Sequence, residues 1–578
     1  MSKTYDDYYQ GKIPQKVQNK MWPLYGKGLE SLGKDNKTIV KNLPEYGPDE
    51  LLIRHDACGL CFSDIKVIRL GQEHPRIYRD MQKEPVVLGH EVSMTVVGVG
   101  ENLKDEYSIG DRFIIQADIF VDSVGYAYGY EIQGGLSQYN VVDQRILNGD
   151  GGNYLIPIQP DTGYAESALV EPWACVIAAY YLTYRNCLKP GGTAWFIGPD
   201  DGTFSLSSGM DKDSHPSKIK LTQMTGTFGN WLREKAKELG IPIEEVDEAA
   251  LVEGEADAAK QVDDIILLSP TAERIERLSP YLAPHGILAF SSKQNLDRKV
   301  KLDVGRIHYN RWLFLSGSEE DLAEIYHHAP LRSELTKDGR AMFVGAGGPM
   351  GRMHVQHAIE SKDHPGLIIC SDASNERLQE LEEAFSDEAE ARGIEMICVN
   401  PLETEAYKEA MQPFEADGFD DIIMLVPIPA VIADGYQWLA DDGVMNVFAG
   451  VARGTMVEID LNELKNRNAR LIGHSASQIE DMLTMLQKVE QGELNTNLSV
   501  AAVGSLSAAK DGMEAMINAT YPGKVVIFPN IRELPLTSVK DLKPILPRVA
   551  AKLKDGKIWT KEAEQAFLDE MIEGEMNA

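Results

Sequence analysis

The side chains best suited to chemistry stand in three short segments: Cys61-Phe62-Ser63-Asp64, Gly89-His90-Glu91 and Glu171-Pro172. A thiolate, an imidazole and a carboxylate are the donors of an open, catalytic zinc site, where three protein ligands leave a fourth position for water or a substrate oxygen. Cys61, His90 and an acid, either Glu91 or Glu171, are the candidate ligands, and which carboxylate ligates stays open at this point. A single histidine on a strand is more often packed than ligating, so the combination carries the reading. Cys58 and Cys61 also have the C-x-x-C spacing of a redox pair, but Ser63-Asp64 follow in place of a thioredoxin-like setting. Six cysteines in 578 residues are too few for a disulfide framework.

A second constellation lies in the other half of the chain. A strand at 341–344 runs into Gly345-Ala346-Gly347-Gly348-Pro349-Met350-Gly351, with a helix after it. Glycines at such a turn let the backbone approach a pyrophosphate, whose charge is met by amide N–H groups at the helix start. The next strand, 366–371, ends at Asp372, about 20 residues on, where an acid binds the ribose diol of a dinucleotide. Gly345, Gly347, Gly348, Met350, Gly351, Asp372 and Arg377 form the candidate cofactor site, with either Gly345/Gly347 or Gly348/Gly351 as the central pair. A carboxylate at 372 repels a 2′-phosphate and favours NAD over NADP, while Arg377 pulls the other way.

The elements that must position these groups fall into two styles. Residues 38–180 read as short strands with Gly and Pro punctuation, a β-rich and barrel-like domain carrying the three acid, His and Cys segments. A helix is expected from about Ala165 through Glu171-Pro172 to Tyr184. Beyond it strands and helices alternate, the mark of a parallel sheet covered by helices.

This half occurs twice. The run 192–198 matches 339–345, and 263–270 matches 420–427, with Gly286 and Gly443, then Asp303 and Asp460, in register. A repeat of about 150 residues suits one doubly wound domain and exceeds any solenoid unit. The expected division is a catalytic domain at 1–188, a first Rossmann-like unit at 189–335, an NAD-binding unit at 336–495, a return segment at 496–534 and a charged helical tail at 535–578. In the first unit Asp200 and Asp201 stand where phosphate belongs, 209–216 is a poor helix, and no acid closes 218–225. It reads as a degenerate copy. In the tail, Thr560 is the expected N-cap before Glu562 and Glu564.

Apolar residues make up 43% of the chain and charged residues 25%, a globular balance. A formal net charge of −32 argues against nucleic acid or an anionic membrane as partner. No apolar run approaches the roughly 20 residues that span a bilayer, and the polar start, Met1 to Asp7, carries no signal segment. A cytoplasmic protein is expected.

The G-x-C-x-S-D, G-H-E and E-P segments, in that order ahead of a Rossmann domain, resemble the zinc-dependent medium-chain alcohol and polyol dehydrogenases. The run from Gly71-Gln-Glu-His-Pro-Arg76 to Glu171-Pro-Trp-Ala-Cys-Val-Ile177 most resembles the sorbose-1-phosphate reductase and sorbitol dehydrogenase branch. The resemblance implies an α/β protein with a GroES-like catalytic domain and two tandem Rossmann-like units. It implies an oxidoreductase moving hydride between a secondary alcohol and NAD(P), with Cys61, His90, Glu91 and Glu171 around one catalytic zinc. Ser63 matches the hydroxyl that takes the substrate proton, and Asp64 the acid that orients a ligand. The family's four-cysteine structural zinc loop is absent, and Lys66 replaces the histidine that often ends the proton relay. The substrate is expected to be a small alcohol or ketone, and the assembly a homo-oligomer. Lys66, Arg69, His74, Arg76 and Arg79 form a basic stretch that is either an anion-binding loop or a solvated one. A zinc lyase or epimerase with retained NAD, and a non-catalytic dinucleotide sensor, are the alternatives.

Overall fold

The computed structural model describes residues 3–14, 16–182, 184–251, 261–327 and 334–572. They fall into two compact lobes, one made of Met1–Ile177 with Ser477–Ala578, the other of Ala178–Ala476.

The first lobe is organised by the strand Leu51–Gly59, all nine residues of which are buried. A strand covered on both faces needs no polar alternation, and this one has little. One edge pairs antiparallel with Glu91–Val99. The other is shared: Tyr139–Val142 takes residues 51–54, and Lys524–Phe528 takes 58–59. The full path runs Leu155–Pro157, Arg112–Ile115, Glu91–Val99, Leu51–Gly59, Lys524–Phe528, Val500–Ser505 and Thr537–Ser538. Among the described residues this sheet does not close, which corrects the barrel-like expectation. Its ends are a three-residue strand terminated by Pro157, which has no N–H to give, and a two-residue strand.

The helix expected from 165 to 184 is two short ones, Tyr164–Ala168 and Val170–Ala178. Pro172 explains the break. Its ring would clash with the carbonyl four residues back, that of Ala168, so the chain kinks at Leu169 and Pro172 falls in the first turn of a new helix, where it is tolerated. The segment after Ser477 packs with this lobe from its first helix, Ile479–Glu490, whose Ile479 sits against the lobe's core.

In the C-terminal segment the long helix is Lys561–Met571, and Thr560 caps it by accepting from Ala563 N at 3.0 Å. Glu564 on this helix turns inward. Its carboxylate accepts the amides of Tyr164 and Ala165, the latter at 2.7 Å, at the start of the helix Tyr164–Ala168.

The second lobe is built on one twelve-stranded sheet. From edge to edge it runs Ile243–Glu245, Lys218–Thr222, Thr193–Ile197, Val262–Leu268, Leu282–Ser291, Leu313–Gly317, then Arg470–Gly473, Leu439–Val447, Phe419–Met424, Arg340–Val344, Leu367–Ser371 and Glu395–Val399. Each half is parallel, with the strand order 3-2-1-4-5-6 of a doubly wound dinucleotide fold. The halves meet where Phe314 pairs antiparallel with Leu471. Val300–Asp303 and Met456–Ile459 repeat the symmetry as an antiparallel pair of their own. The in-register acids do the same job in both halves. Asp303 caps one helix through Arg306 N at 3.1 Å, and Asp460 caps its counterpart through Asn462 N at 3.0 Å. No described helix is long and apolar enough to cross a membrane.

Burial pushes the Glu564 carboxyl up to about 7, although the amides of Ala165 and Tyr164 pull it down. The folded chain thus holds this proton more tightly than the unfolded one. The resulting stabilisation is complete below about pH 4.5 and is lost as pH rises through about 7, a swing of about 3 kcal/mol. The melting temperature is expected to fall between pH 5 and 8, and Glu564→Gln to remove most of that fall. An unchanged pH profile in the variant would contradict the assignment.

Candidate functional site

The register of two strands assembles the metal-type donors. Gly59 pairs with Glu91 and Cys58 with Val92, so Cys61 leaves the end of one strand beside His90 and Glu91 at the start of the other. Sγ of Cys61, a ring nitrogen of His90 and a carboxylate oxygen of Glu91 all lie within 4.8 Å of one another. The glycine of the G-x-C segment follows from the same pairing. A Cβ on Gly59 would stand 2.2 Å from Glu91 Oε2.

Cys61 is also the N-cap of the helix Phe62–Leu70. Asp64, fully buried in its first turn, ties the two segments together. Oδ2 accepts Cys61 N at 3.0 Å and Oδ1 accepts Gly89 N at 3.2 Å. Oδ1 also stands 3.4 Å from His90 Nδ1, outside hydrogen-bonding geometry. Burial pulls the His90 imidazole down, but Asp64 and Cys61 together hold it well above its ordinary value. Ser63 Oγ lies 3.4 Å from Cys61 Sγ. The ring of Tyr130 covers His90 edge-on at 6.3 Å.

Two buried donor atoms here have no hydrogen-bond partner, His90 Nδ1 and Glu91 Oε2. Unpaired buried polar atoms cost about 1–3 kcal/mol each. A thiolate, an imidazole and a carboxylate oxygen are the donor set that a zinc ion accepts, so the residues fit the metal that the sequence implies. Glu171 does not join the three. It stands close by, where burial pushes its carboxyl up to about 7, His90 and Lys524 pull it down and Glu91 adds to the rise.

Lys524 is the residue that sequence reasoning missed. It opens the strand Lys524–Phe528, which pairs Val526 with Gly59, and its Nζ donates to Glu91 Oε1 at 2.5 Å. Both side chains are almost fully buried. Burial would pull the ammonium down, but Glu91 and Cys61 hold it up at about 12. The only signal in sequence is a lysine heading an otherwise apolar strand.

The basic stretch is largely spoken for. Arg76 pairs with Asp118 at 2.6 Å and Arg79 with Glu131 at 3.1 Å. His74 accepts from Arg76 N at 3.3 Å and rests on Tyr130, and Arg69 lies over the exposed Phe62 ring at 5.3 Å. Cys58 is buried, and all six cysteines are free.

In the second lobe the strand Arg340–Val344 enters the glycine loop, and the helix Pro349–Glu360 follows with Gly348 as N-cap and Pro349 in its first turn. Three glycines are sterically required. Gly345 has φ +90°, a Cβ on Gly347 would strike Arg377 Cβ at 2.7 Å, and one on Gly351 would meet the Gly345 carbonyl at 2.4 Å. Gly348 has no neighbour closer than 3.8 Å. The steric demand falls on Gly345, Gly347 and Gly351 and spares Gly348. Met350 lies in the first helical turn, half-exposed. Asp372 follows the strand Leu367–Ser371, with Oδ2 accepting Gly347 N and Oδ1 accepting Ser374 N, both at 3.0 Å. Each oxygen keeps a further lone pair. Arg377 is partly buried in the first turn of the helix Asn375–Ala391.

The corresponding loop of the other half is built differently. The first strand, Thr193–Ile197, is followed by no helix before Lys218–Thr222. Asp200 instead folds onto the start of the later helix Thr227–Leu239, accepting Gly202 N at 2.9 Å and Gly229 N at 2.7 Å. A carboxylate of the chain itself takes one amide of the loop after the first strand and one at the start of the helix after the second.

Residues 47–148 match the alcohol dehydrogenase GroES-like domain. A mannitol-1-phosphate 5-dehydrogenase from Aliivibrio fischeri is 22% identical over 93% of this chain and 95% of its own length. An L-sorbose 1-phosphate reductase from Klebsiella pneumoniae is 24% identical over 52% of this chain and 75% of its own. A solved short chain alcohol dehydrogenase from E. coli CFT073, complexed with NADH, aligns with a TM-score of 0.50 at 11% identity, over 89% of this chain and 100% of the other, a likeness of fold alone. These relatives are named as a dehydrogenase and a reductase.

Removing Lys524 would leave Glu91 as a buried charge without a partner, at a cost of about 3–5 kcal/mol. Lys524→Met is expected to lower the first thermal transition, and Lys524→Met/Glu91→Leu to restore most of it. A single variant as stable as the wild type would show that the pair does not form.

Proposed function

We propose that the chain oxidises a secondary alcohol of the polyol or sugar-phosphate class to the ketone, with NAD as hydride acceptor and one zinc ion at Cys61, His90 and Glu91. The observation carrying this reading is the convergence of those three donors, two of them with buried, partnerless atoms, beside a pre-set Asp64. A polyol phosphate and a ketose phosphate in the names of two relatives, one aligned over 93% of the chain and the other over 52%, support the substrate class.

Zinc bound there supplies a Lewis acid that polarises the substrate's oxygen and lowers the pKa of an alcohol toward neutrality. The chain's own residues do the rest. Ser63 Oγ, next to Cys61, accepts the alcohol proton and hands it outward along the half-exposed first turn of its helix. Asp64 holds Cys61 and the Gly89–His90 turn at fixed separation, so the donors do not need to reorganise. Lys524 fixes one oxygen of Glu91 and leaves the other facing the centre. Glu171 adds a further buried carboxyl close to His90 and Glu91. The loop of Gly345, Gly347 and Gly351 binds the pyrophosphate, and Asp372 and Arg377 flank the adenosine ribose, with Asp372 excluding a 2′-phosphate. The 189–335 repeat serves structure, with Asp200 folded onto the helix Thr227–Leu239.

Cys61→Ser is expected to lose zinc, measured by elemental analysis of the purified chain, together with turnover of polyols and their phosphates. Retention of either overturns the ligand assignment. Asp372→Ala is expected to raise KM for NAD about tenfold or more and to narrow the preference over NADP, since one charge-assisted pair is worth roughly 1.5–3 kcal/mol. Unchanged constants for both cofactors would locate the nucleotide elsewhere.

A further inference from the structure

A cleft of about 580 Å³ in the first lobe lies apart from the metal-type centre. The chain has 57 basic and 89 acidic residues, yet four of the side chains lining this cleft are cationic and none is a carboxylate. Lys16, Lys20 and Arg532 stand around it, and Arg54 forms its floor. Arg54 is fully buried on the strand Leu51–Gly59. Its guanidinium is fixed from several sides. Nε donates to Asp56 at 2.7 Å, Nη2 donates to the Tyr8 carbonyl at 2.9 Å, and the Tyr8 ring packs 3.3 Å from the guanidinium carbon. Nη1 is left buried without a partner.

A partnerless guanidinium nitrogen is a costly thing to keep in a core. Here it sits under a ring of further positive charge, the arrangement that multiply charged oxyanions select. The compensating acids are few. Asp56 lies behind Arg54, and Glu533 approaches Lys20 to 3.5 Å in a pair that water screens. The rings of Tyr8 and Tyr139, nearly buried, back the cleft where a carbon moiety would press. We propose that this cleft is a second anion site, for phosphate or a small phosphate ester, separate from the catalytic centre. Gly59 lies five steps along the strand from Arg54, roughly 16 Å at about 3.3 Å per residue, so one small substrate does not touch both. The proposal does not depend on the reading of the metal centre.

The test is calorimetric titration of the full, metal-stripped chain in chloride buffer, with inorganic phosphate in one arm and glycerol 1-phosphate in the other. Saturable binding is expected in at least one arm, and a response to the ester alone would assign the aromatic wall to the carbon moiety. Cys61→Ala should bind as the wild type does. Lys20→Ala/Arg532→Ala, which leaves the buried Arg54 in place, should weaken binding about tenfold or more. Arg54→Lys should weaken it too, and the rim pair decides the matter if that buried variant does not fold. No saturable binding, binding indifferent to the rim pair, or binding lost in Cys61→Ala would each overturn the proposal.

Discussion

Gly59 and Glu91 face each other across two antiparallel strands, and the candidate metal centre inherits its geometry from that pairing. Side-chain period on a strand is two, so a slip of one residue would turn Glu91 to the opposite face and carry His90 away from Cys61. The register is protected from both sides. Leu51, Ile53, Val92, Met94 and Val96 are buried in one core. At the other end Asp64 binds amides of both segments. The absent side chain at Gly59 is part of the same constraint, because the space it would need is filled by Glu91 Oε2.

That carboxylate is completed from far along the chain. Lys524 lies 433 residues beyond Glu91. Two buried ions are expensive to desolvate, several kcal/mol apiece, and their attraction offsets this only when the geometry is close. The return strand is therefore more than a tie between distant segments. By bringing an ammonium to Glu91 Oε1, it makes a buried anion tolerable beside Cys61 and leaves one oxygen without a partner. Such an arrangement belongs to a site that binds something positive.

How much of this could be read in advance differs residue by residue. Cys61, His90, Asp64 and the glycine loop were legible because each sits in a local segment whose spacing already implies a turn or a cap. The duplication was legible as well, and Asp303 and Asp460 proved to cap equivalent helices. Lys524 was not, since its meaning comes from a strand pairing that no local pattern announces. The choice of Gly345, Gly347 and Gly351 needed the positions of Arg377 and the loop carbonyls. The basic stretch looked like an anion loop because Asp118 and Glu131, which neutralise Arg76 and Arg79, are far away in sequence. The single helix expected across Pro172 failed on sterics that the proline itself made visible. The open ends of the first lobe's sheet were hidden, because closure depends on tertiary pairing.

The central antiparallel contact of the twelve-stranded sheet, Phe314 against Leu471, joins two like folds that one chain carries in tandem. Separate molecules presenting these edges would find each other by diffusion and come apart on dilution. Within a single polypeptide the encounter is intramolecular, at an effective concentration set by the connecting segment rather than by how much protein a cell makes. The half whose first loop holds Asp200 supplies that permanent partner, which gives selection a reason to keep its strands.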